Sequence, residues 1–254
     1  KKGGAQQTDS LLWYPKQFFE DTKNNLWFSD NSAVYKYHNG MLHRYNLGTE
    51  NTTGSFVHSF SFFENGFNNL ILISNTGNFY KYDYIKDAIS PIIGDFEINN
   101  ITGVQKITDG HILIGFNNML GEMFFDADSK FISFSILDSQ LDASSFSLKG
   151  KESVFIGTWT HGLWEAILIN GRVNLKKVHE INQGGAINQI IRYKNEFLLA
   201  TDYGIAILQD QNFISPLKDN RNKFVQDIEY DAETKSILLS DGESIYRIDE
   251  NTIN

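Results

Sequence analysis

Leu70-Ile71-Leu72-Ile73-Ser74 is a continuous apolar run closed by a small residue, and the same figure occurs five more times in this chain. The others are Asn25-Leu26-Trp27-Phe28-Ser29, Ile112-Leu113-Ile114-Gly115, Val154-Phe155-Ile156-Gly157, Phe197-Leu198-Leu199-Ala200 and Ile237-Leu238-Leu239-Ser240. The closing residues are spaced by 45, 41, 42, 43 and 40 residues. A period near 42 with this content is that of a β-propeller, one four-stranded blade per repeat. Runs that are apolar throughout, rather than alternating, belong to strands buried on both faces, as each blade is between its neighbours. The small closing residue suits a close approach of backbones near the centre.

The remaining strands follow from this register. Third strands are expected at Val34-Tyr35-Lys36-Tyr37, Phe79-Tyr80-Lys81-Tyr82, Gly121-Glu122-Met123-Phe124, Leu163-Trp164-Glu165-Ala166, Ile205-Ala206-Ile207-Leu208 and Ile245-Tyr246-Arg247-Ile248. First strands are expected around Phe18, Phe60, Val104, Phe146, Ile190 and Ile228, each followed by turn residues such as Asp109-Gly110 or Lys194-Asn195. Pro91 and Pro216 fall where the fourth strand should lie, at the outer edge of a blade, where a missing N–H is tolerated. The fold expected is an all-β, six-bladed propeller of four-stranded antiparallel blades. The last repeat ends after its third strand, so Leu11-Leu12-Trp13-Tyr14 is expected to supply the outer strand of the last blade and close the ring. The rival is that the chain is a piece of a larger array. Residues 1–10 read as a disordered polar tether and 11–254 as one propeller domain.

Composition narrows the function. With 254 residues, 41% of them hydrophobic, a sizeable core can be buried. The formal charge is −9 and the basic residues are scattered, which disfavours a nucleic-acid backbone or an anionic membrane surface as partner. No run of 18 apolar residues exists, so no membrane insertion is expected. Cysteine is absent, which removes disulfides, thiol catalysis and cysteine-ligated zinc. The six histidines show no metal-ligand spacing, and no metal or cofactor is expected.

Three repeats carry a resemblance. Asp21-Thr22-Lys23-Asn24-Asn25-Leu26-Trp27-Phe28-Ser29 with Val34-Tyr35-Lys36-Tyr37, Phe155-Ile156-Gly157-Thr158 with His161-Gly162-Leu163-Trp164, and Leu198-Leu199-Ala200-Thr201 with Tyr203-Gly204-Ile205 resemble the two-component-regulator propeller repeat. The other three repeats share the period but little of the motif. The resemblance implies an extracytoplasmic propeller, periplasmic or at the cell surface, that recognises a ligand, often a glycan fragment, or a partner protein; it does not imply that this chain signals by itself. Full sensors of that family carry further blades, an immunoglobulin-like module, a membrane helix and a kinase. Similar repeats also occur in surface lipoproteins, and Lys1-Lys2-Gly3-Gly4-Ala5-Gln6-Gln7 would suit the tether of an exported or lipid-anchored protein.

The candidate site lies in the loops between second and third strands, which a propeller gathers on one face. They supply Asn31, Asn117, Trp159, His161, Asp202 and Tyr203, a mix of aromatic faces and hydrogen-bonding groups that suits a sugar. Asn, Asp, Gly and Thr also serve tight hairpins in their own right. Trp159 lies inside its loop, as a contact surface or as a lid on the neighbouring blade, whereas Trp27 and Trp164 sit on strands and belong to the core. His161 could meet Asp30, Asp202 or Asp241. A glycosidase would need two facing carboxylates, for which Asp30, Asp202, Asp241 and Glu243 are available by position. Asp21 to Trp27 echoes one Asp box, a structural turn. The reading is a non-catalytic recognition module for a glycan or small ligand. A protein-binding scaffold in a surface or secretion complex and a glycan-acting hydrolase or lyase are the alternatives.

Overall fold

The computed structural model describes residues 3–4, 6–7, 16–30, 33–47, 59–66, 69–95, 97–180, 185–209, 212–214 and 224–250. Every repeat forms one antiparallel sheet, so the expected six-bladed, all-β propeller is what the chain adopts, and no α-helix occurs among the described residues. The strands are β1 (Gly3–Gly4), β2 (Gln6–Gln7), β3 (Lys16–Glu20), β4 (Leu26–Ser29), β5 (Val34–His38), β6 (Met41–Tyr45), β7 (Phe60–Asn65), β8 (Asn69–Ser74), β9 (Phe79–Asp83), β10 (Ala88–Pro91), β11 (Ile101–Thr108), β12 (His111–Phe116) and β13 (Met119–Phe125). They continue as β14 (Phe131–Asp138), β15 (Ala143–Gly150), β16 (Ser153–Thr158), β17 (Leu163–Ile169), β18 (Arg172–His179), β19 (Ile187–Tyr193), β20 (Glu196–Thr201), β21 (Gly204–Gln209), β22 (Asn212–Ile214), β23 (Asp227–Asp231), β24 (Ser236–Ser240) and β25 (Ile245–Asp249).

The strands of each blade follow one another in chain order, first to fourth in β3–β6, β7–β10, β11–β14, β15–β18 and β19–β22, and first to third in β23–β25. The six second strands are those read from the sequence, and β8, β12 and β16 are buried along nearly their whole length. In the opening stretch, β2 pairs with β6 (Gln6 opposite Arg44) and β1 with β10 (Gly3 opposite Ile89), each adding a fifth strand to a blade. Pro91 ends β10 opposite Tyr80, beyond the two residues that β1 pairs, so no ladder donor is missed. The sixth sheet has three strands among the described residues. Leu11–Tyr14 and Pro216 lie outside those residues.

The chain divides into two compact units, Lys1–Asn117 with Gly121–Ser135, and Asn118–Leu120 with Ile136–Asn254. In the first, blades one and two share a core of Trp27, Tyr45, Leu70, Leu72, Tyr82 and Ile89. In the second, Phe155, Ile187, Ile190 and Leu199 join blades four and five, and Leu198, Ile205, Ile228 and Ile237 join five and six. Trp27 is fully buried, and Asp21 explains how: its carboxylate accepts from Trp27 Nε1 (2.8 Å), Tyr84 OH (2.8 Å), Asn25 Nδ2 and the backbone N–H groups of Lys23 and Asn25. Burial would raise this carboxyl, but these donors, Trp27 foremost, outweigh it and hold the pKa below the usual range. The Asp-box echo is thus a structural hub. Trp164 differs from expectation: it sits on β17 but is only partly buried, its Nε1 donating to the His161 carbonyl at 3.1 Å.

Candidate functional site

In blades one and four the small residue closing the second strand is where the blade meets the next one. A Cβ on Gly157 would lie 2.3 Å from Ser145 Oγ and 2.7 Å from Ile187 Cγ2, so no larger side chain fits there. In blade one the same position is Ser29, whose hydroxyl accepts from the Phe60 N–H at 3.3 Å. The residue after the small one then shapes the loop. Thr158 Oγ1 accepts from the His161 N–H and donates to the Gly162 carbonyl, both at 2.8 Å. Thr201 repeats this with Tyr203 N–H (3.1 Å) and the Gly204 carbonyl (2.8 Å) in a loop one residue shorter. Gly162 and Gly204 have φ of 79° and 111°, the left-handed region that favours glycine. The Thr and Gly of the recurring motif are therefore turn chemistry.

A second device ties down the loops of blades two to five. The loop N–H donates to the carbonyl of the residue just ahead of the first strand of its own blade: Asn75 to Ser59, Asn117 to Asn100, Trp159 to Asp142 and Asp202 to Ala186, at 3.0 to 3.3 Å. In blades three, four and five the first strand then shifts register, between Ile101 and Gly103, Ala143 and Ser145, and Ile187 and Gln189. Neighbouring residues on a regular strand face opposite ways; this bulge lets Ser144 and Ser145 both donate to the Ile187 carbonyl, at 2.5 and 3.1 Å. Blade four is thereby locked to blade five beneath their loops.

On that base the second unit presents two of the expected loops side by side. In blade four, Asp142 is 8% exposed and its carboxylate accepts from Thr160 Oγ1 (2.6 Å) and pairs with His161 Nδ1 (2.9 Å). The His161 side chain stays 46% exposed and the Trp159 indole 42% exposed. In blade five, Asp202 accepts from the Ala186 N–H (3.0 Å) and Asn188 Nδ2 (3.3 Å), and Tyr203 lies over Gly185, 45% exposed. Further along, Val225 N–H donates to the Thr201 carbonyl, which sets the exposed Phe224 beside the blade-five loop. Asn117 belongs to the first unit, where its Oδ1 accepts from Asn100 Nδ2 at 2.9 Å. Asn31 lies outside the described residues.

Of the carboxylates offered for His161, none is its partner; Asp142 is. Asp30 closes its own turn through the Ala33 N–H and Tyr35 OH, and Asp241 does the same with the Glu243 and Ser244 N–H groups and Tyr246 OH. The loop carboxylates are held by hairpin chemistry rather than aimed at a shared point. Asp142 and Thr160 were not singled out in the sequence. A signal existed: Asp142, Asn100 and Ser59 all stand 15 residues before their small closing residue. Among the described residues no group of three histidines and carboxylates converges on a metal position.

No family model matches the chain and no curated protein matches it. Solved structures do. The extracellular domain of a protein assigned as a one-component system in B. thetaiotaomicron is 16% identical over 97% of this chain and 40% of its own, with a TM-score of 0.60. The extracellular domain of an assigned hybrid two-component system from the same organism is 15% identical over 97% and 42%, at 0.55. Virginiamycin B lyase from Staphylococcus aureus, as a catalytically inactive histidine variant with quinupristin, is 12% identical over 98% and 88%, at 0.66. At these identities the likeness is one of fold. The chain spans about two-fifths of the length of the sensor domains.

Proposed function

We propose that this chain is an extracytoplasmic recognition module of the two-component-regulator propeller type, exported to the periplasm or cell surface, that binds a glycan fragment at the loop end of blades four to six. The observation that carries the reading is Trp159. Its loop is fixed by the Thr158 hydroxyl and by the Asp142 carbonyl, yet its indole is left 42% exposed beside the half-exposed His161. An aromatic face held open on a rigid loop, with hydrogen-bonding groups around it, suits stacking on a sugar ring with hydroxyls bonded at its rim. The likeness to extracellular domains of sensor systems supports the setting.

The test is a thermal-shift screen against neutral and acidic oligosaccharides. A rise in melting temperature that is ligand-specific and grows with concentration is expected. A flat panel would refute the glycan reading and favour a scaffold that binds a partner protein. A glycan-acting lyase or hydrolase is the second reading, favoured by the pairing of His161 with the largely buried Asp142, which orients a ring nitrogen as an acid–base site requires. Product analysis of the same mixtures separates the two.

A further inference from the structure

We infer that this chain pairs with a second copy of itself through the outer edge of blade three, β14 against β14, antiparallel and centred on Phe134. The middle of β14, Ile132-Ser133-Phe134-Ser135-Ile136, reads the same in both directions. An antiparallel partner of identical sequence runs the other way, so in this register like meets like. Ile132 faces the partner's Ile136, Ser133 faces the partner's Ser135, and Phe134 faces its own copy. The match continues beyond the palindrome. Phe131 falls opposite the partner's Leu137, and Lys130 opposite the partner's Asp138, an opposite-charge pair that two-fold symmetry makes twice. One Asp138 oxygen accepts from the Gln140 N–H at 2.8 Å, and a carboxylate has further lone pairs for an ammonium.

The fold sets these residues at an edge. β14 is the last strand of its sheet among the described residues, and a last strand turns a row of N–H and C=O groups outward. Ile132 is 60% exposed and Ile136 51%. Between them Phe134 packs edge-on against Phe116, ring centres 5.4 Å apart, which anchors the strand. Ser135, on the opposite face, donates to Glu122 Oε1 at 3.0 Å. Ile132, Phe134 and Ile136 thus form one apolar stripe. Other outer strands are managed differently. β6 and β10 receive β2 and β1, so blades of this chain do accept one strand more. β18 carries Arg172, Lys176 and Lys177, the kind of charge that keeps an edge from pairing, and β22 spans three described residues. β14 has neither charge nor proline from Phe131 to Leu137. Pairing would join two four-stranded blades into one eight-stranded sheet.

Sedimentation velocity on the 254-residue chain, from about 1 μM to about 200 μM, reads the pairing. A dimer that grows with concentration is expected. Ile136→Lys sets a charge twice into one seam and should weaken the dimer at least about tenfold. Ile169→Lys, at an equally exposed isoleucine on β17, should leave it unchanged. The register is tested by cysteine, which the native chain lacks. Ile132→Cys and Ile136→Cys are made as separate proteins. Under mild oxidation neither alone should cross-link, because like positions stand four residues out of register. Their mixture should yield disulfide-linked dimers, because directly opposed residues fall within disulfide reach. A chain that stays monomeric through about 200 μM would overturn the inference. So would a dimer that Ile136→Lys leaves intact, or single proteins that cross-link as readily as the mixture, since either places the contact elsewhere.

Discussion

Lys36 carries its ammonium into the seam between blades one and two and is only 9% exposed. Its Nζ lies 2.5 Å from Asp87 Oδ1 and 2.7 Å from Tyr82 OH, with the rings of Trp27, Tyr45 and Tyr82 5.9, 5.8 and 5.1 Å away. The hydroxyls of Tyr45 (2.6 Å) and Tyr82 donate to the same carboxylate oxygen. Asp87→Asn removes the charge while keeping an acceptor oxygen and a residue that tolerates the φ of 46° found there. Removing one partner of a fully buried pair costs roughly 3–5 kcal/mol. The Asp87 side chain is 42% exposed, so water screens part of that, and about 2 kcal/mol is expected.

Equilibrium urea unfolding at pH 7 measures the loss. Two controls make it specific. Adding Lys36→Met to Asp87→Asn should recover about half the deficit, because the uncompensated ammonium is gone and methionine suits an aromatic surround. The pH dependence supplies the other. Burial pushes the Asp87 carboxyl up, but the bonds from Lys36, Tyr45 and Tyr82 more than reverse this and hold it at about 2, below the ordinary 3.8. For a depressed carboxyl the stabilisation is present above 3.8 and is lost as pH falls through about 2. Other carboxylates titrate in the same range, so the informative quantity is the gap between native protein and variant, which should close between pH 4 and pH 2. A deficit under about 0.5 kcal/mol at pH 7, or one undiminished at pH 2, would refute the electrostatic account.

Other expectations follow from single contacts. Asp21→Ala orphans the buried Trp27 donor and leaves the partly buried Tyr84 hydroxyl only its longer bond to Glu64 at 3.3 Å, and should cost about 2–3 kcal/mol in urea unfolding, with altered tryptophan emission. Gly157→Ala forces a Cβ against Ser145 and Ile187 and should cost about 2 kcal/mol, whereas Gly150→Ala, which meets open space, should change stability by less than about 0.5 kcal/mol. Trp159→Ala should abolish glycan binding while moving stability by less than about 0.5 kcal/mol; a large loss of stability would make Trp159 a core residue. Thr158→Val removes the hydroxyl that closes the His161 turn and should cost about 1–2 kcal/mol and weaken binding together.

What could be read from the sequence was what repeats. The continuous apolar second strands mark burial on both faces, and their period placed every blade, as Leu70 to Ser74 in β8 shows. Trp159 was legible because it interrupts a turn that needs only Thr and Gly. The partner of His161 was not. Asp142 lies in a different loop, 19 residues away, and reaches the ring only because the first strand begins beneath the second-to-third strand loop of its own blade. Position suggested Asp30, Asp202 and Asp241 equally well, and only the hydrogen bonds show two of them spent on their own turns and Asp202 on Ala186 and Asn188. Trp164 was misjudged for a related reason: being on a strand says nothing of depth, and this ring lies half out, over the His161 carbonyl.

The repeat separates two kinds of position, and the separation says where recognition can change without endangering the fold. The strut from loop N–H to the carbonyl ahead of the first strand uses backbone alone, so it survives with Ser59, Asn100, Asp142 or Ala186 at the receiving end. Side chains there are free to vary, and they do: Asn100 binds Asn117, Asp142 holds Thr160 and His161, and in blade five a second bond runs the other way, the Asp202 carboxylate accepting from the Ala186 N–H. A carboxylate is thus not required for the strut in blade four, which makes Asp142→Asn a clean separator of the two roles. The backbone bond and the Thr160 contact persist, while the charge orienting the imidazole is lost. Stability should fall by about 1 kcal/mol or less, and glycan affinity should fall severalfold, to be read by titration calorimetry. Loss of fold in this variant would mean that the Asp142 carboxylate belongs to the scaffold after all.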